Sequence, residues 1–194
     1  MKPLAAVVLA AGEGTRMRSQ IAKPLMPVGG RPMLFHVLDH LQLLGVERLV
    51  VVVGARREHV IAALAQRAVE VAVQDPPLGT GHAVQCTESL LADFDGDVIV
   101  TYSDIPLVRA ETLVSLLRKH RETAAAATLL TAIYDDPTGY GRVVRRPDGS
   151  VEAIVEEKEA DDSIRGIREI NTGIYCFQAR PLFDALRYIE PSNV

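Results

Sequence analysis

Two glycines and two cations follow the first apolar segment of the chain. Gly12 and Gly14 come directly after the apolar segment 4–9, and Arg16 and Lys23 follow them. Glycines at the end of a strand let a ligand approach the backbone N–H groups closely, because no side chain stands in the way. With two positive charges nearby, they predict a site for several negative charges close together, such as the triphosphate of a nucleotide.

The spacing of these glycines excludes two familiar phosphate-binding loops. Met17 stands where the dinucleotide-binding pattern Gly-x-Gly-x-x-Gly needs its third glycine, and the loop lacks the Gly-Lys-Ser/Thr of a P-loop. A plain NAD-dependent oxidoreductase is therefore disfavoured. The alternative to a phosphate site is a tight turn, with Arg16 and Lys23 as solvated surface charges.

An aspartate follows a second apolar segment, at 98–102. Asp104 lies in the sequence Ser-Asp-Ile-Pro just after that segment. Carboxylate oxygens suit Mg²⁺, which usually takes one or two carboxylates and shares substrate phosphates. The alternative is an Asx-turn or a helix cap ahead of Pro106. Asp95 and Asp97 precede the same segment and are expected to face solvent.

Further polar groups lie in the segment 78–83 and in the second half of the chain. The sequence Leu-Gly-Thr-Gly-His-Ala at 78–83 could bind the edge of a nucleobase, although Thr80 could also simply cap a helix. His82 is expected to be structural, with a catalytic role as the alternative. In the second half, hydrogen bonds to sugar hydroxyls or to an amide are predicted for Gly141, Glu156 and Asn171. Glu157 and Glu159 are expected to belong to a solvated charge run, and Asn171 could instead cap a turn.

Apolar segments alternate with amphipathic ones along the chain, which predicts an α/β fold. The expected strands are 4–9, 49–53, 69–74, 98–102, 124–133, 142–146, 150–155 and 171–177. The expected helices are 33–44, 58–67, one within 79–91, 110–120 and 181–188. This order predicts a doubly wound, mostly parallel open sheet of the Rossmann-like kind, with a small antiparallel hairpin insertion around Pro147-Asp148-Gly149. Such sheets bind ligands beyond the carboxyl ends of their strands, so the segments 10–16, 74–81 and 103–106 should converge.

Size and composition restrict the function classes. The 194 residues suffice for one domain, and the net charge of −4 argues against broad nucleic-acid binding. No apolar run approaches the roughly 18 residues of a membrane span, and no signal-peptide pattern is present. Cys86 and Cys176 lie in apolar surroundings and are expected to be buried thiols. A cytoplasmic protein that binds neither nucleic acid nor membrane is expected.

The segments 9–17 and 23–25 resemble the signature of sugar-1-phosphate nucleotidyltransferases. Five further segments make the resemblance more specific, namely 78–83, 102–107, 138–142, 155–156 and 169–173. Taken in this order, all the segments together are similar to one domain of a bifunctional family. That domain is the uridylyltransferase of N-acetylglucosamine-1-phosphate uridylyltransferase/glucosamine-1-phosphate acetyltransferase. The match runs from about residue 5 to the end of the chain.

The resemblance implies a Mg²⁺-dependent reaction of UTP with N-acetylglucosamine 1-phosphate. The products would be UDP-N-acetylglucosamine and pyrophosphate, as in cell-wall precursor synthesis. Arg16 would hold the triphosphate, Lys23 the phosphates near the reacting centre, and Asp104 the Mg²⁺. The other implied contacts are backbone contacts to nucleotide from Ala10, Ala11, Gly12 and Gly14, contacts to uracil and ribose from Gln74, Gly79 and Thr80, and contacts to the amino sugar from Gly141, Glu156 and Asn171.

Three departures from the family pattern leave base and sugar selectivity open. Pro77 stands where a second glutamine is common, Ser103 where glycine is common, and Lys23-Pro24-Leu25 looks like the hexose-1-phosphate branch. The alternatives are another sugar-1-phosphate nucleotidyltransferase or a non-catalytic nucleotide-sugar-binding domain. The family continues past Val194 into a β-helix acetyltransferase half, so residues 1–194 are expected to be a single, truncated domain. A homo-oligomer is expected only for a full-length form.

Overall fold

A computed structural model describes residues 2–12, 14, 17, 19, 21–54 and 57–189, so that Arg16 lies outside the described residues. The chain forms two compact units, residues 1–128 with 175–194 and residues 129–174. The strands are β1 (Leu4–Ala10), β2 (Pro27–Val28), β3 (Arg31–Pro32), β4 (Arg48–Val53), β5 (Glu70–Val73), β6 (Asp97–Tyr102), β7 (Ala127–Ile133), β8 (Arg142–Arg145), β9 (Val151–Val155) and β10 (Glu169–Gln178). The helices are α1 (Met33–Leu43), α2 (Arg57–Leu64), α3 (Thr80–Gln85), α4 (Ala110–Thr123), α5 (Asp162–Arg165) and α6 (Ala179–Leu186), with a 3-10 helix at Lys23–Leu25.

The first unit is built on a parallel sheet in the order β5-β4-β1-β6. Val7 of β1 pairs with Val50 on one side and Val100 on the other. β1 is buried along its whole length, and β4 is buried from Leu49 onward, as expected for apolar strands covered on both faces. The end of β10 pairs antiparallel with β6. The predicted α/β class with a mostly parallel open sheet is confirmed.

Helix α1 confirms the helix that the apolar spacing predicts at 33–44, with its end one residue earlier. Leu34, Leu38 and Leu41 recur at helical spacing and are fully buried, and the helix ends just before Gly45, whose φ is +73°. Two other helices end elsewhere than predicted: α2 ends at Leu64 rather than 67, and α4 continues to Thr123 rather than 120. Helix α4 ends before its C-cap residue, Ala124, whose backbone is left-handed with a φ of +49°.

The second unit contains the predicted hairpin of β8 and β9. In its turn, Asp148 Oδ1 accepts hydrogen bonds from the backbone N of Ser150 (2.9 Å) and from its hydroxyl (2.6 Å), and Gly149 has a φ of +82°. Arg145 on β8 pairs with Glu169 on β10 at 2.5 Å. β10 begins two residues earlier than predicted and also pairs with β7, so the antiparallel part is larger than one hairpin.

The expectation that Asp97 faces solvent is wrong. Its side chain is only 1% exposed, at the amino end of β6. Oδ2 accepts a 2.7 Å hydrogen bond from Arg121, while Oδ1 lies 3.2 Å from Lys2 Nζ and 3.6 Å from His120 Nε2. The carboxylate is buried because cations from the amino terminus and from α4 surround it. Asp95 is exposed, as expected.

Both cysteines of the chain are free thiols in the first unit. Cys176 is buried, and burial raises the pKa of its thiol to about 12; Cys86 is half-buried, less than expected. Within the described ranges, no helix is long and apolar enough to cross a bilayer.

His120 gives a testable dependence of stability on pH. Burial lowers the pKa of His120 below the ordinary 6.5, against a smaller opposing effect of Asp97. Below pH 6.5, His120 therefore binds a proton more readily in the unfolded chain than in the folded chain. The contribution of neutral His120 to the free energy of unfolding is thus fully present above pH 6.5 and is lost as the pH falls below it. We expect the free energy of unfolding to fall by up to about 1.4 kcal/mol per pH unit below pH ~6.

Urea unfolding at pH 5 to 8 measures this effect. His120→Gln should flatten the slope below pH 6.5, whereas His59→Gln, on the exposed side of α2, should leave it unchanged. Equal slopes for the wild-type chain and His120→Gln would contradict the assignment.

Candidate functional site

A cavity of about 410 Å³ opens at the carboxyl ends of the parallel strands in the first unit. The segments after β1, β5 and β6 converge there, as the sequence predicts for this kind of sheet. The lining residues are Leu9, Ala11, Gly12, Lys23, Pro24, Gln74, Pro77, Gly79, Thr80, Ala83, Tyr102, Ser103 and Asp104. Seven of the residues predicted to bind nucleotide or metal are among them, whereas Ala10 and Gly14 are not.

Backbone contacts fix the ends of the strands next to this cavity. Ser103 N donates to the carbonyl of Leu9 at 3.0 Å, which ties the end of β6 to the end of β1. A Cβ on Gly54, just after β4, would lie 2.8 Å from the carbonyl oxygen of Ala11. Gly54 is a residue that sequence reasoning missed: only a glycine allows β4 to approach the loop backbone this closely. Its place directly after a buried strand was the one signal that could have found it.

Gly14 and Lys23 pack against each other beside the cavity. Gly14 has a φ of +62°, and a Cβ there would lie 2.8 Å from Lys23 Cβ. A side chain at position 14 would thus be both strained and in the way of Lys23. Ala10 is buried in β1 with its side chain in the core. A side chain at position 14 would therefore displace Lys23, which lines the cavity.

Lys23 Nζ donates to Asp104 Oδ2, which joins the 3-10 helix to the segment after β6. Both side chains remain about one-third exposed, so both charges are accessible from the cavity. Asp104 offers a carboxylate at a strand end, the donor type that Mg²⁺ takes together with phosphates and water. Among the residues that the structure describes, no cluster of three His, Cys, Asp or Glu side chains forms a complete metal cage. A single carboxylate fits a Mg²⁺ whose other ligands come from substrate.

Gln74, at the end of β5, is the most buried polar side chain of the cavity wall after Ser103. It is 5% exposed, and its Nε2 donates to the carbonyl of Gly79 at 2.8 Å. Gly79 is the N-cap of α3 and has a φ of +100°, a backbone conformation that favours glycine. The alternative in which Thr80 caps this helix is wrong, since the N-cap residue is Gly79 and no side-chain cap is formed.

Gly141, Glu156 and Asn171 come together in the second unit. Asn171 N donates to the carbonyl of Gly141 at 2.8 Å, and a Cβ on Gly141 would lie 3.1 Å from Glu156 Oε1. Asn171 Oδ1 also accepts from Gly173 N at 3.0 Å, which is the turn-capping contact foreseen as an alternative. The three residues thus form one polar patch with an exposed carboxylate.

The expectation that Glu157 belongs to a solvated charge run is wrong. Its Oε2 pairs with Arg142 at 2.7 Å and accepts from Gly139 N at 3.3 Å, and Arg142 is only 1% exposed. The guanidinium of Arg142 lowers the pKa of Glu157. Arg142 pairs with Val155, the last residue of β9, so Glu157 lies in the turn that directly follows this pair. The ion pair between Arg142 and Glu157 therefore stabilises the backbone next to Gly141.

Gly12→Ala separates binding from folding. Gly12 is exposed, and a Cβ added there would meet nothing within 4 Å, so the free energy of unfolding should change by less than about 0.5 kcal/mol. If the loop binds phosphate as the sequence predicts, the added methyl group would obstruct the approach to its N–H groups, so affinity for a nucleoside triphosphate should fall about tenfold or more.

Urea unfolding and calorimetric titration with UTP measure the two effects. Gly54→Ala is the matched comparison, because its Cβ meets the Ala11 carbonyl and should cost about 1–3 kcal/mol of stability. Wild-type affinity for UTP in Gly12→Ala would contradict the role given to this loop.

The comparison with protein families identifies the domain. The family described as the MobA-like NTP transferase domain matches residues 6–170. The chain belongs to this family. Its match begins within β1 and ends within β10, so it includes the whole cavity wall and most of the second unit of this NTP transferase domain.

Curated relatives of this NTP transferase domain are named bifunctional protein GlmU. The chain is 51% identical over 188 residues to the protein of Geobacillus thermodenitrificans, covering 97% of this chain and 41% of the relative. It is 51% identical over 189 residues to that of Exiguobacterium sibiricum, covering 97% and 42%. The chain therefore spans about two fifths of the length of the curated relatives it matches.

A solved structure supports the fold of the NTP transferase domain. A chain described as a glucose-1-phosphate thymidylyltransferase of Bacillus anthracis, in complex with sucrose, superposes with a TM-score of 0.78. The alignment covers 97% of this chain and 76% of that one at 20% identity. At this level of identity the likeness concerns the fold.

Proposed function

We propose that the chain transfers a uridylyl group from UTP to N-acetylglucosamine 1-phosphate, releasing pyrophosphate and UDP-N-acetylglucosamine. The observation that carries the proposal is the convergence of Gly12, Lys23, Gln74 and Asp104 on one cavity. The near 50% identity to proteins named GlmU supports it.

The proposed reaction is an in-line displacement. A phosphate oxygen of the sugar phosphate attacks the α-phosphorus of UTP, and the bond from that phosphorus to the bridging oxygen of the β-phosphate breaks. Pyrophosphate leaves with the electron pair. The protein contributes positioning and compensation of negative charge, which is how phosphoryl and nucleotidyl transfer is generally accelerated.

Lys23 and Gly12 have separate tasks in this proposal. The exposed backbone of Gly12 lets phosphate oxygens approach the N–H groups of the loop. Lys23 would place a positive charge beside the reacting phosphates, held there by Gly14 and the 3-10 helix. Arg16 is proposed for the remaining triphosphate charge on the basis of sequence alone.

Mg²⁺ is the proposed cofactor, with Asp104 as its protein ligand. When bound, Mg²⁺ would neutralise charge on the phosphates and polarise the α-phosphoryl group. The partial exposure of Asp104 and its place at the cavity edge suit this role. Its pairing with Lys23 is in keeping with a site where a cation is electrostatically favoured.

Selectivity is proposed to come from two groups of residues. Gln74, Gly79 and Thr80 would contact uracil and ribose, with Ala11 adding backbone contacts. Gly141, Glu156 and Asn171 would contact the amino sugar through the polar patch of the second unit.

One observation favours a second candidate, another sugar-1-phosphate nucleotidyltransferase. Pro77 and Ser103, two of the residues that depart from the uridylyltransferase pattern, both line the cavity. A change of base or of sugar would act through such positions.

Pyrophosphate release tests both candidates. The chain is incubated with Mg²⁺, one of UTP, dTTP, CTP, ATP or GTP, and either N-acetylglucosamine 1-phosphate or glucose 1-phosphate. Fastest release with UTP and the N-acetylated sugar supports the proposal, and a preference for another pair supports the second candidate. Nucleotide binding with no pyrophosphate release from any pair would indicate a non-catalytic binding domain.

A further inference from the structure

Two contacts to its nitrogen hold the side-chain amide of Gln74 in place. Nε2 lies 2.8 Å from the carbonyl oxygen of Gly79 and 3.2 Å from Nδ1 of His82. A carbonyl oxygen can only accept, so the nearby Gln74 atom must be the NH₂ group and not the oxygen. This places Nε2 toward α3, independently of any assumption about the histidine.

The second hydrogen of that NH₂ group then determines the state of His82. With Gln74 as the donor, Nδ1 of His82 must be the acceptor and carries no proton. The proton of a neutral imidazole is then on Nε2, which lies 3.8 Å from Cys86 Sγ, a weak acceptor one turn further along α3. Burial raises the pKa of the Cys86 thiol, so that the sulfur carries no charge.

The orientation of this amide leaves an acceptor for the ligand. Gln74 lines the cavity, and its Oε1 accepts no hydrogen bond from another residue in the part of the chain that the structure describes. Rotating the amide by half a turn would place Oε1 against the Gly79 carbonyl, an acceptor, and against His82 Nδ1. The contact with the Gly79 carbonyl would then be repulsive, and the contact with His82 would be favourable only if the imidazole moved its proton from Nε2 to Nδ1.

We propose that His82 is a positioning residue for base selection: its unprotonated Nδ1 holds the Gln74 amide so that Oε1 accepts from a ring N–H of the base. Uracil carries that N–H at N3, whereas cytosine has a lone pair there and would face Oε1 with repulsion. The inference rests on the proposed function and adds to it the group that orients the base-binding side chain. Gly79 remains the other anchor, so removing His82 weakens the selection without abolishing it.

Paired calorimetric titrations with UTP and CTP test the proposal. His82→Leu fills similar space without an acceptor, and the affinity ratio of UTP to CTP should fall about tenfold. His82→Asn can place Oδ1 near the position of Nδ1, and it should restore the ratio to within about threefold of wild type. His59→Leu, at an exposed position of α2, is the matched control and should leave the ratio unchanged.

The outcomes separate this inference from the proposed function. A His82→Leu chain that binds UTP with the wild-type ratio overturns the inference alone. A wild-type chain that binds neither nucleotide overturns the proposed function and the inference with it.

A spectroscopic measurement on the wild-type chain tests the same inference without any substitution. In the ¹⁵N-labelled wild-type chain, the imidazole shifts of His82 should show an unprotonated Nδ1 with the ring proton on Nε2. A ring protonated on Nδ1 would overturn the inference whatever the activity of the chain.

Discussion

Asp104→Asn is expected to lower turnover by about 10²–10³-fold, by analogy with the loss of one preorganised electrostatic group. The amide keeps the size of the side chain and one oxygen, but it removes the negative charge that would hold Mg²⁺. It also leaves Lys23 without the carboxylate to which it donates. The substitution therefore disturbs Lys23 and the proposed metal ligand together.

Initial rates of pyrophosphate release over a range of Mg²⁺ concentrations measure this effect. The Mg²⁺ concentration for half-maximal rate should rise, and affinity for UTP without Mg²⁺ should change by much less than turnover. Asp95→Asn is the matched control, because Asp95 is an exposed aspartate before the same strand. Turnover within threefold of wild type in Asp104→Asn would remove Asp104 from the proposed metal site.

Asp97→Ala is expected to destabilise the fold by about 1–3 kcal/mol, the usual cost of losing hydrogen bonds to a buried charged group when the partners, Arg121 and Lys2, stay partly exposed. The substitution leaves Arg121 without its 2.7 Å acceptor and Lys2 without its nearest carboxylate. It also takes the negative charge away from His120, which is buried beside them.

Urea unfolding at pH 7 gives the free-energy change directly. Asp95→Ala, at an exposed position two residues earlier, should change stability by less than about 0.5 kcal/mol. A loss of less than 1 kcal/mol in Asp97→Ala would show that the surrounding cations find water or other partners instead. The folded fraction of Asp97→Ala should bind UTP with wild-type affinity.

Much of the fold was predictable because its signals are local. The apolar runs of β1 and β4 and the helical spacing of Leu34, Leu38 and Leu41 each lie within a dozen residues. The burial of Asp97 was not predictable, since it depends on Lys2 and on α4, which are distant in sequence. Sequence shows that a residue is charged but not which charges the fold brings to it.

The candidate site was predictable where it follows from topology. Parallel strands bring their carboxyl ends to one edge, so Gly12, Gln74 and Asp104 were expected to meet, and they line one cavity. The pairing of Arg142 with Glu157 and the approach of Gly54 to Ala11 were missed. Both depend on distances between elements, for which a single sequence contains no direct signal.

Strand β6 carries two kinds of residue at its two ends. Asp97 and its cations lie at the amino end. Tyr102 lies at the carboxyl end, about 17 Å from Asp97 along the strand, and is followed by Ser103 and Asp104, which line the cavity with it. Effects of substitutions this far apart usually add. Stability gained at the amino end can therefore offset the cost of new residues in the cavity, so ligand preference can evolve without loss of the fold.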